Sequence, residues 1–529
     1  MGNNEYLYEK IYLKTLTPIF IGQNQANDLS PYSDFIQIGN EIYYIAQKKF
    51  EEALASKDGL MDKYVNLVRQ MIDKSRTQSN FNLQNFIQQH LGDIEEFSDI
   101  KIPVDQNLKH THIRRFITSS GRPFIPGSTI KGEFRTAIIY DWLTNSEAGR
   151  KIIDKLNEKI KNISERILEL QEKKVSQGLS DEESKELKKL TSKSEVEKEF
   201  EKIYDEQKLF GFMSEDNQSG FDSRHIQVSD SKIFDFSNLS ILKLCRIKLR
   251  DCSEVSPFPC ETLNANLISN FNLKLVRSFE QNQLIKFNNI SIKDIFEILN
   301  SFSLASITYE IESFDSFHNK SNSGNNKKTD YSKVLDFYNK LFDTINKSNN
   351  EYAIIRLGAG KTFFDNSIGL VIYNYNKDVF NKYRKLLEIG KNSKTKKIVE
   401  GRFPTTRTIV DATKLPIGWL AVSLDRNSID SLDFYESKTL PISTITDNTT
   451  TTIVSSKPEK KYTLAQIIDD KSKPPKVKIL EGEHLNKECQ LTNVRLEGLG
   501  LKSGARVFVE LVFQKKVLQK ADYKGKPEE

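Results

Sequence analysis

The chain has 529 residues, about three times what one ordinary core takes, so more than one compact unit is expected. Hydrophobic residues make up 37% and charged residues 28%, no apolar run approaches the ~20 residues that cross a bilayer, and the start lacks a basic-then-apolar leader pattern, so the sequence reads as a cytosolic protein without a membrane partner. A formal net charge of +6 permits a nucleic-acid partner without requiring one, and four cysteines with no C-x-x-C pair argue against a disulfide framework or a structural zinc site.

The first element, residues 6–20, carries Ile11, Leu13, Leu16 and Ile19 among polar residues and reads as a strand leaving into a loop at Pro18 and Gly22. Two β-rich runs then flank Gly39-Asn40, a hairpin signal with glycine first, and helical patterns follow from Lys48 to about His90. The string Phe124-Ile-Pro-Gly-Ser-Thr-Ile-Lys-Gly-Glu-Phe-Arg135 places a proline- and glycine-marked loop directly before a helix expected over residues 129–143. Helix N-termini present unpaired N–H groups, and Lys131 and Arg135 share a helix face, so an anion site and a merely capped loop are both open readings here. His112, Arg114 and Arg115 arrive from the preceding segment.

Residues 147–208 change character. Ile153, Leu156, Ile160, Ile163, Ile167 and Leu170 step by threes and fours, Gly178 breaks the seam, and Ser180 with Glu183 forms a capping-box pattern before a second arm. An inserted helical hairpin is predicted, with a solvated, self-packing role favoured over a partner-binding coiled coil. Strand-like sequence resumes at residue 210. The loop from Arg356 to Leu370 holds Gly358, Gly360, Lys361 and Thr362, but position 355 is isoleucine where a phosphate-binding P-loop needs its first glycine. A glycine loop lying against a polyanionic backbone fits better than nucleotide hydrolysis. The Ser/Thr run after residue 440 reads as a linker, and the last ~60 residues, with short strands between glycine turns, read as a small β-barrel-like appendix.

Histidines are few, and His110 and His112 together fall short of the ligands a metal needs; no metal or cofactor is expected. Asp28 and Asp34 flank the first loop and read as turn caps.

Taken together, Thr17-Pro-Ile-Phe-Ile-Gly22, the string from Phe124 to Arg135 with Thr136 and Ala137, Leu209-Phe-Gly211, Val228-Ser-Asp-Ser231 and the glycine loop 357–367 resemble the RAMP proteins of CRISPR systems. Phe403-Pro-Thr-Thr-Arg407 followed by Pro416-Ile-Gly-Trp419 resembles, among these, the fifth Csm subunit of type III-A effector complexes. The resemblance implies an α+β fold of tandem ferredoxin-like (RRM-like) modules: residues 1–240 as the first, holding the 147–208 hairpin, and 241–440 as the second. A linker over 441–462 and a β-rich appendix over 463–529 complete the expected organisation. It assigns RNA contact to Gly127, Ser128, Lys131, Gly132 and Arg135 and to Gly358, Gly360 and Lys361, with Arg402 and Arg407 as further candidates beside His112, Arg114 and Arg115. It also implies a non-catalytic subunit capping the guide RNA 3′ end and supporting its maturation. The implied partners are guide and target RNA and the other Csm subunits, above all the repeated backbone subunit, with a recruited host nuclease as a further candidate. The alternative is a RAMP endoribonuclease processing precursor guide RNA, with His112 as acid/base and Lys131 or Arg135 stabilising the phosphorane.

Overall fold

The computed structural model describes residues 6–23, 28–73, 81–104, 107–108, 111–206, 211–213, 219–221, 226–249, 253–276, 291–321, 331–392, 395–399, 403–435, 463–470, 472, 474–480, 486–492, 502–514 and 517–525. The chain divides into two compact units, Met1–Lys438 and Thr439–Glu529.

The larger unit is organised by one antiparallel sheet of five strands in the order Tyr352–Arg356, Trp419–Ser423, Tyr6–Thr15, Ile268–Val276, Ile226–Val228. Alternation in the first strand sets its role: Ile11 and Leu13 point into the core and are fully buried, with partners on both sides, Phe271 and Ser269 from one strand and Val422 from the other. Two long helices, Gly127–Asn145 and Ile292–Ser321, pack against each other and against this sheet, with Phe134 edge-on to Phe271 at 6.5 Å. The chain does not divide at residue 240. Strands from both sides of that expected boundary pair over nine residues, from Tyr6↔Val276 to Lys14↔Ile268, so their apolar faces form one continuous core.

A second sheet joins Glu254–Leu263, Leu239–Lys248 and Thr406–Val410. A third, Phe35–Ile38, Glu41–Tyr44 and Ile100–Pro103, lies beside a satellite core that includes Phe50, Leu54, Phe86 and Ile87. The hairpin turns where the sequence places it, at Gly39 with φ +58°.

The inserted hairpin forms as Glu147–Ser176, then Asp181–Leu190 and Lys193–Glu201, its second arm broken where Thr191-Ser192 interrupt it. Gly178 turns the chain with φ +82°, and the Ser180–Glu183 capping box is present. The hairpin packs on more than itself. Leu156, Ile160, Ile163, Val196 and Phe200 belong to the main core, Phe200 stacks on Tyr383 at 5.7 Å, and the Tyr375 hydroxyl donates to Asp154 at 2.6 Å. Among the described residues no helix is long and apolar enough to cross a membrane.

Candidate nucleic-acid interface

The helix Gly127–Asn145 begins at Pro126, whose fixed φ suits a helix entry and whose carbonyl accepts from Thr129 and Ile130 at 3.0 and 3.2 Å. Its first N–H is already taken: Gly127 donates to the Asp230 carboxylate at 2.7 Å. The neighbouring residues zip the same way, with Ile125 N–H donating to the Ser231 hydroxyl at 2.9 Å and Ser231 N–H to the Ile125 carbonyl at 3.0 Å. A side chain at Gly127 would put its Cβ 2.4 Å from the Val228 carbonyl oxygen and 2.6 Å from Ser229. The glycine therefore admits the Val228-Ser-Asp-Ser231 segment, and two strings quoted separately from the sequence are halves of one contact.

The second glycine loop obeys the same rule. Gly358 takes φ +67° and its absent Cβ would meet the Phe20 carbonyl oxygen at 2.2 Å, while one at Gly360 would meet that of Ile417 at 2.0 Å. Ala359 N–H donates to Phe20 O at 2.9 Å, Leu357 N–H to Gly418 O at 2.7 Å and Gly418 N–H to Pro18 O at 2.9 Å. The strings at 17–22, 357–367 and 416–419 are thus tied into one crossing point of three segments. After Gly360 the chain leaves a short 3-10 turn for extended backbone at Lys361, without the helix a phosphate-binding P-loop requires.

The two loops meet through an ion pair. The Lys361 ammonium lies 2.7 Å from the carboxylate of Glu133, a residue of the first helix that is buried and that burial pushes up to about 7, with the Lys361 charge opposing the rise. Nothing in the sequence distinguishes Glu133 from a surface acid; the signal is only its position inside the Lys-Gly-Glu-Phe-Arg run.

Behind the second loop sits a buried ion cluster that sequence reasoning missed. Arg356 Nη1 lies 3.3 Å from Glu310 Oε1 and 3.4 Å from Asp365 Oδ2, Arg407 Nε lies 2.5 Å from Glu310 Oε2, and all four side chains are at most 2% exposed. Asp365 also accepts from the Thr362 N–H and the Ser306 hydroxyl, both at 2.6 Å, which fixes the loop's shape from within. Two cations balance two anions, the condition for burying charge. Arg407, expected at the RNA surface, is a correction. It is engaged by Glu310 and by the Pro404 carbonyl at 2.7 Å, and a side chain 1% exposed presents nothing to a ligand.

The first helix differs. Ser128 and Gly132 are exposed, with open space around Gly132, and Lys131 is half-buried without an ion-pair partner among the described residues. Burial, then the charge of Arg135, pulls its ammonium below the usual lysine range. Arg135 itself pairs with Glu206.

His112 is exposed, its ring edge-on to Tyr32 at 6.3 Å. Arg114 stacks its guanidinium 4.1 Å over Phe258, and its backbone joins Pro259 and Glu261. Arg115 N–H donates to Asp28 at 3.4 Å, while Asp34 caps its own loop through Ser30 N–H at 2.7 Å. His110 and Arg402 lie outside the described residues.

The comparisons with known proteins decide the family. The RAMP superfamily model matches residues 12–364, two thirds of the chain. The chain belongs to the RAMP superfamily. This RAMP protein is 23% identical over 440 residues to the CRISPR system protein Csm5 of Methanocaldococcus jannaschii, covering 78% of this chain and 88% of that one. Its fold matches a chain of the cryo-EM Csm–crRNA–target RNA ternary complex of a type III-A CRISPR-Cas system, with TM-score 0.54 and 20% identity over 79% of this chain and 100% of the other. It is also similar to the crystal structure of T. onnurineus Csm5, with TM-score 0.46 and 17% identity over 77% and 99% of the two chains. The resemblance read from the sequence, to RAMPs and within them to the fifth Csm subunit, is the one these comparisons return.

Proposed function

We propose that this chain is a non-catalytic RNA-binding subunit of a type III-A CRISPR effector complex. In this reading it caps the 3′ end of the guide RNA in the cytosol, supports maturation of that end and joins the repeated backbone subunit, leaving cleavage to other subunits and host nucleases. The strand–helix–strand–strand–helix–strand run, from Tyr6–Thr15 through Gly127–Asn145, Ile226–Val228, Ile268–Val276 and Ile292–Ser321 to the strands that follow, supports a ferredoxin-like RAMP module as its frame. The observation that carries the RNA reading is Lys131: a half-buried cation beside Arg135, without an acid partner among the described residues, next to the exposed Ser128 and Gly132. A phosphate arriving there would supply the opposite charge that offsets both the cost of burial and the repulsion. In this reading the residues of the second loop, Gly358, Gly360 and Lys361, hold the first helix in place rather than touch RNA.

The test is Lys131→Glu in tagged protein isolated from cells carrying a type III-A array, with sequencing of the bound RNA ends. Wild type should bring down the complex with trimmed guides, and the variant untrimmed guides or complexes lacking this subunit. Cleavage of repeat RNA by the purified chain alone, lost on His112→Ala, would instead establish the processing nuclease.

A further inference from the structure

The Thr439–Glu529 unit lies wholly beyond the 12–364 match and holds none of the residues of the two glycine loops. Its strands Thr463–Asp469, Lys476–Ile479, Glu488–Thr492, Arg506–Gln514 and Val517–Gly525 close into a barrel in the order first, second, third, fifth, fourth, the fourth returning to pair with the first. Every contact is antiparallel except the third with the fifth, which runs parallel from Gln490↔Lys520 to Thr492↔Asp522. That connectivity is the Greek-key barrel of the OB-fold, whose second and third strands form the face that receives oligonucleotides or oligosaccharides.

Topology alone does not assign a ligand, so the face must. Val477, Ile479 and Leu491 point inward with Ala465, Ile467, Val507, Val509 and Ala521 to fill the barrel. Alternation therefore turns Lys476, Lys478 and Gln490 outward. Pairing sets Lys476, Gln490 and Lys520 side by side across three strands, with Lys478 in the next row opposite Glu488. Neither Lys476 nor Lys478 is held in an ion pair among the described residues, although Asp469 and Glu488 are their cross-strand neighbours. Between residues 463 and 525 twelve Lys and Arg stand against eight Asp and Glu, so this unit supplies most of the chain's net charge of +6. Among the described residues, every exposed large hydrophobic side chain, Tyr8 and Val175 among them, lies in the other unit. A cationic, hydrogen-bonding face whose described residues include no exposed apolar anchor suits a phosphodiester backbone better than a protein partner.

We propose that the outer face of the second, third and fifth barrel strands, carrying Lys476, Lys478, Gln490 and Lys520, binds single-stranded RNA as a contact separate from the Lys131 site. Binding to a single strand rests on this face alone. The choice of RNA over DNA rests on the proposed function.

The test uses the full chain and fluorescently labelled oligouridine of about 12 nucleotides, within the span an OB barrel covers. Lys476→Glu with Lys478→Glu should weaken binding about tenfold at low salt and flatten its salt dependence. Photocrosslinks between RNA and peptides spanning 476–492 should vanish in that variant and persist in Lys131→Glu. Glu488→Lys, which adds a cation to the same face, should tighten binding two- to threefold, a gain that misfolding does not produce. Unchanged affinity in the double lysine variant, or wild-type crosslinks confined to residues 1–438, would overturn the proposal. Tighter binding of oligothymidine than of oligouridine would overturn the assignment to RNA.

Discussion

The two glycine loops of the RAMP body look alike in sequence, each holding two glycines and a lysine, yet their charges are handled in opposite ways. At the second loop every cation has its anion: Lys361 has Glu133, and Arg356 and Arg407 share Glu310 and Asp365. At the first, Arg135 has Glu206 while Lys131 stands without an acid among the described residues. The difference teaches that a basic glycine loop is a binding candidate only where its charge is left uncompensated. Gly127, Gly358 and Gly360 serve close packing of the chain on itself, whereas Gly132 faces open space.

Breaking the compensated side should have the largest effect. Glu310→Gln leaves two guanidiniums buried with less than their charge opposed, and denaturant unfolding should show a loss of about 3–5 kcal/mol. Gly358→Ala forces a side chain into a left-handed residue against the Phe20 carbonyl; a loss of about 2–3 kcal/mol is expected from the same measurement. The Glu133 link sharpens the comparison through pH. Its native pKa, about 7, lies above the unfolded value of 4.5, so the folded state holds the proton more tightly. The stabilisation is complete below the unfolded value and fades as pH rises through about 7. Thermal melts between pH 5 and 8 should therefore show stability falling across this window in wild type, and less steeply in Glu133→Gln. The smallest stability effect belongs to Lys131→Gln, within about 0.5 kcal/mol of wild type, while the same change lowers affinity for single-stranded RNA several-fold in a titration at low salt.

Much of this was legible because it is local. The alternation of Ile11 and Leu13, the seam from Ile153 to Leu170, the capping box at Ser180 and the turn at Gly39 follow from period and turn chemistry. The strings that carry the family resemblance were legible as strings, but their purpose was not. That Gly127 faces Val228 and Gly358 faces Phe20 depends on which segments the fold brings together. Arg407 shows the same limit in charge: an arginine four residues after a phenylalanine reads as a surface cation, and only its placement against Glu310 makes it a core ion. The pairing of Tyr6–Thr15 with Ile268–Val276 across residue 240 was hidden for a related reason, since β pairing between distant strands leaves no mark in composition.

That pairing bears on how the protein is made. The strand Tyr6–Thr15 lies between partners that begin at Ile268 and Trp419. At about 5–20 residues per second of synthesis, the ribosome needs tens of seconds to deliver the second partner after the first strand has emerged. Until Ile268–Val276 emerges Ile11 and Leu13 have no sheet to enter, and until Trp419–Ser423 follows the other edge of the strand stays unpaired. The body thus belongs among folds dominated by long-range contacts, which form late and depend on protection of the nascent chain until the last central strand arrives.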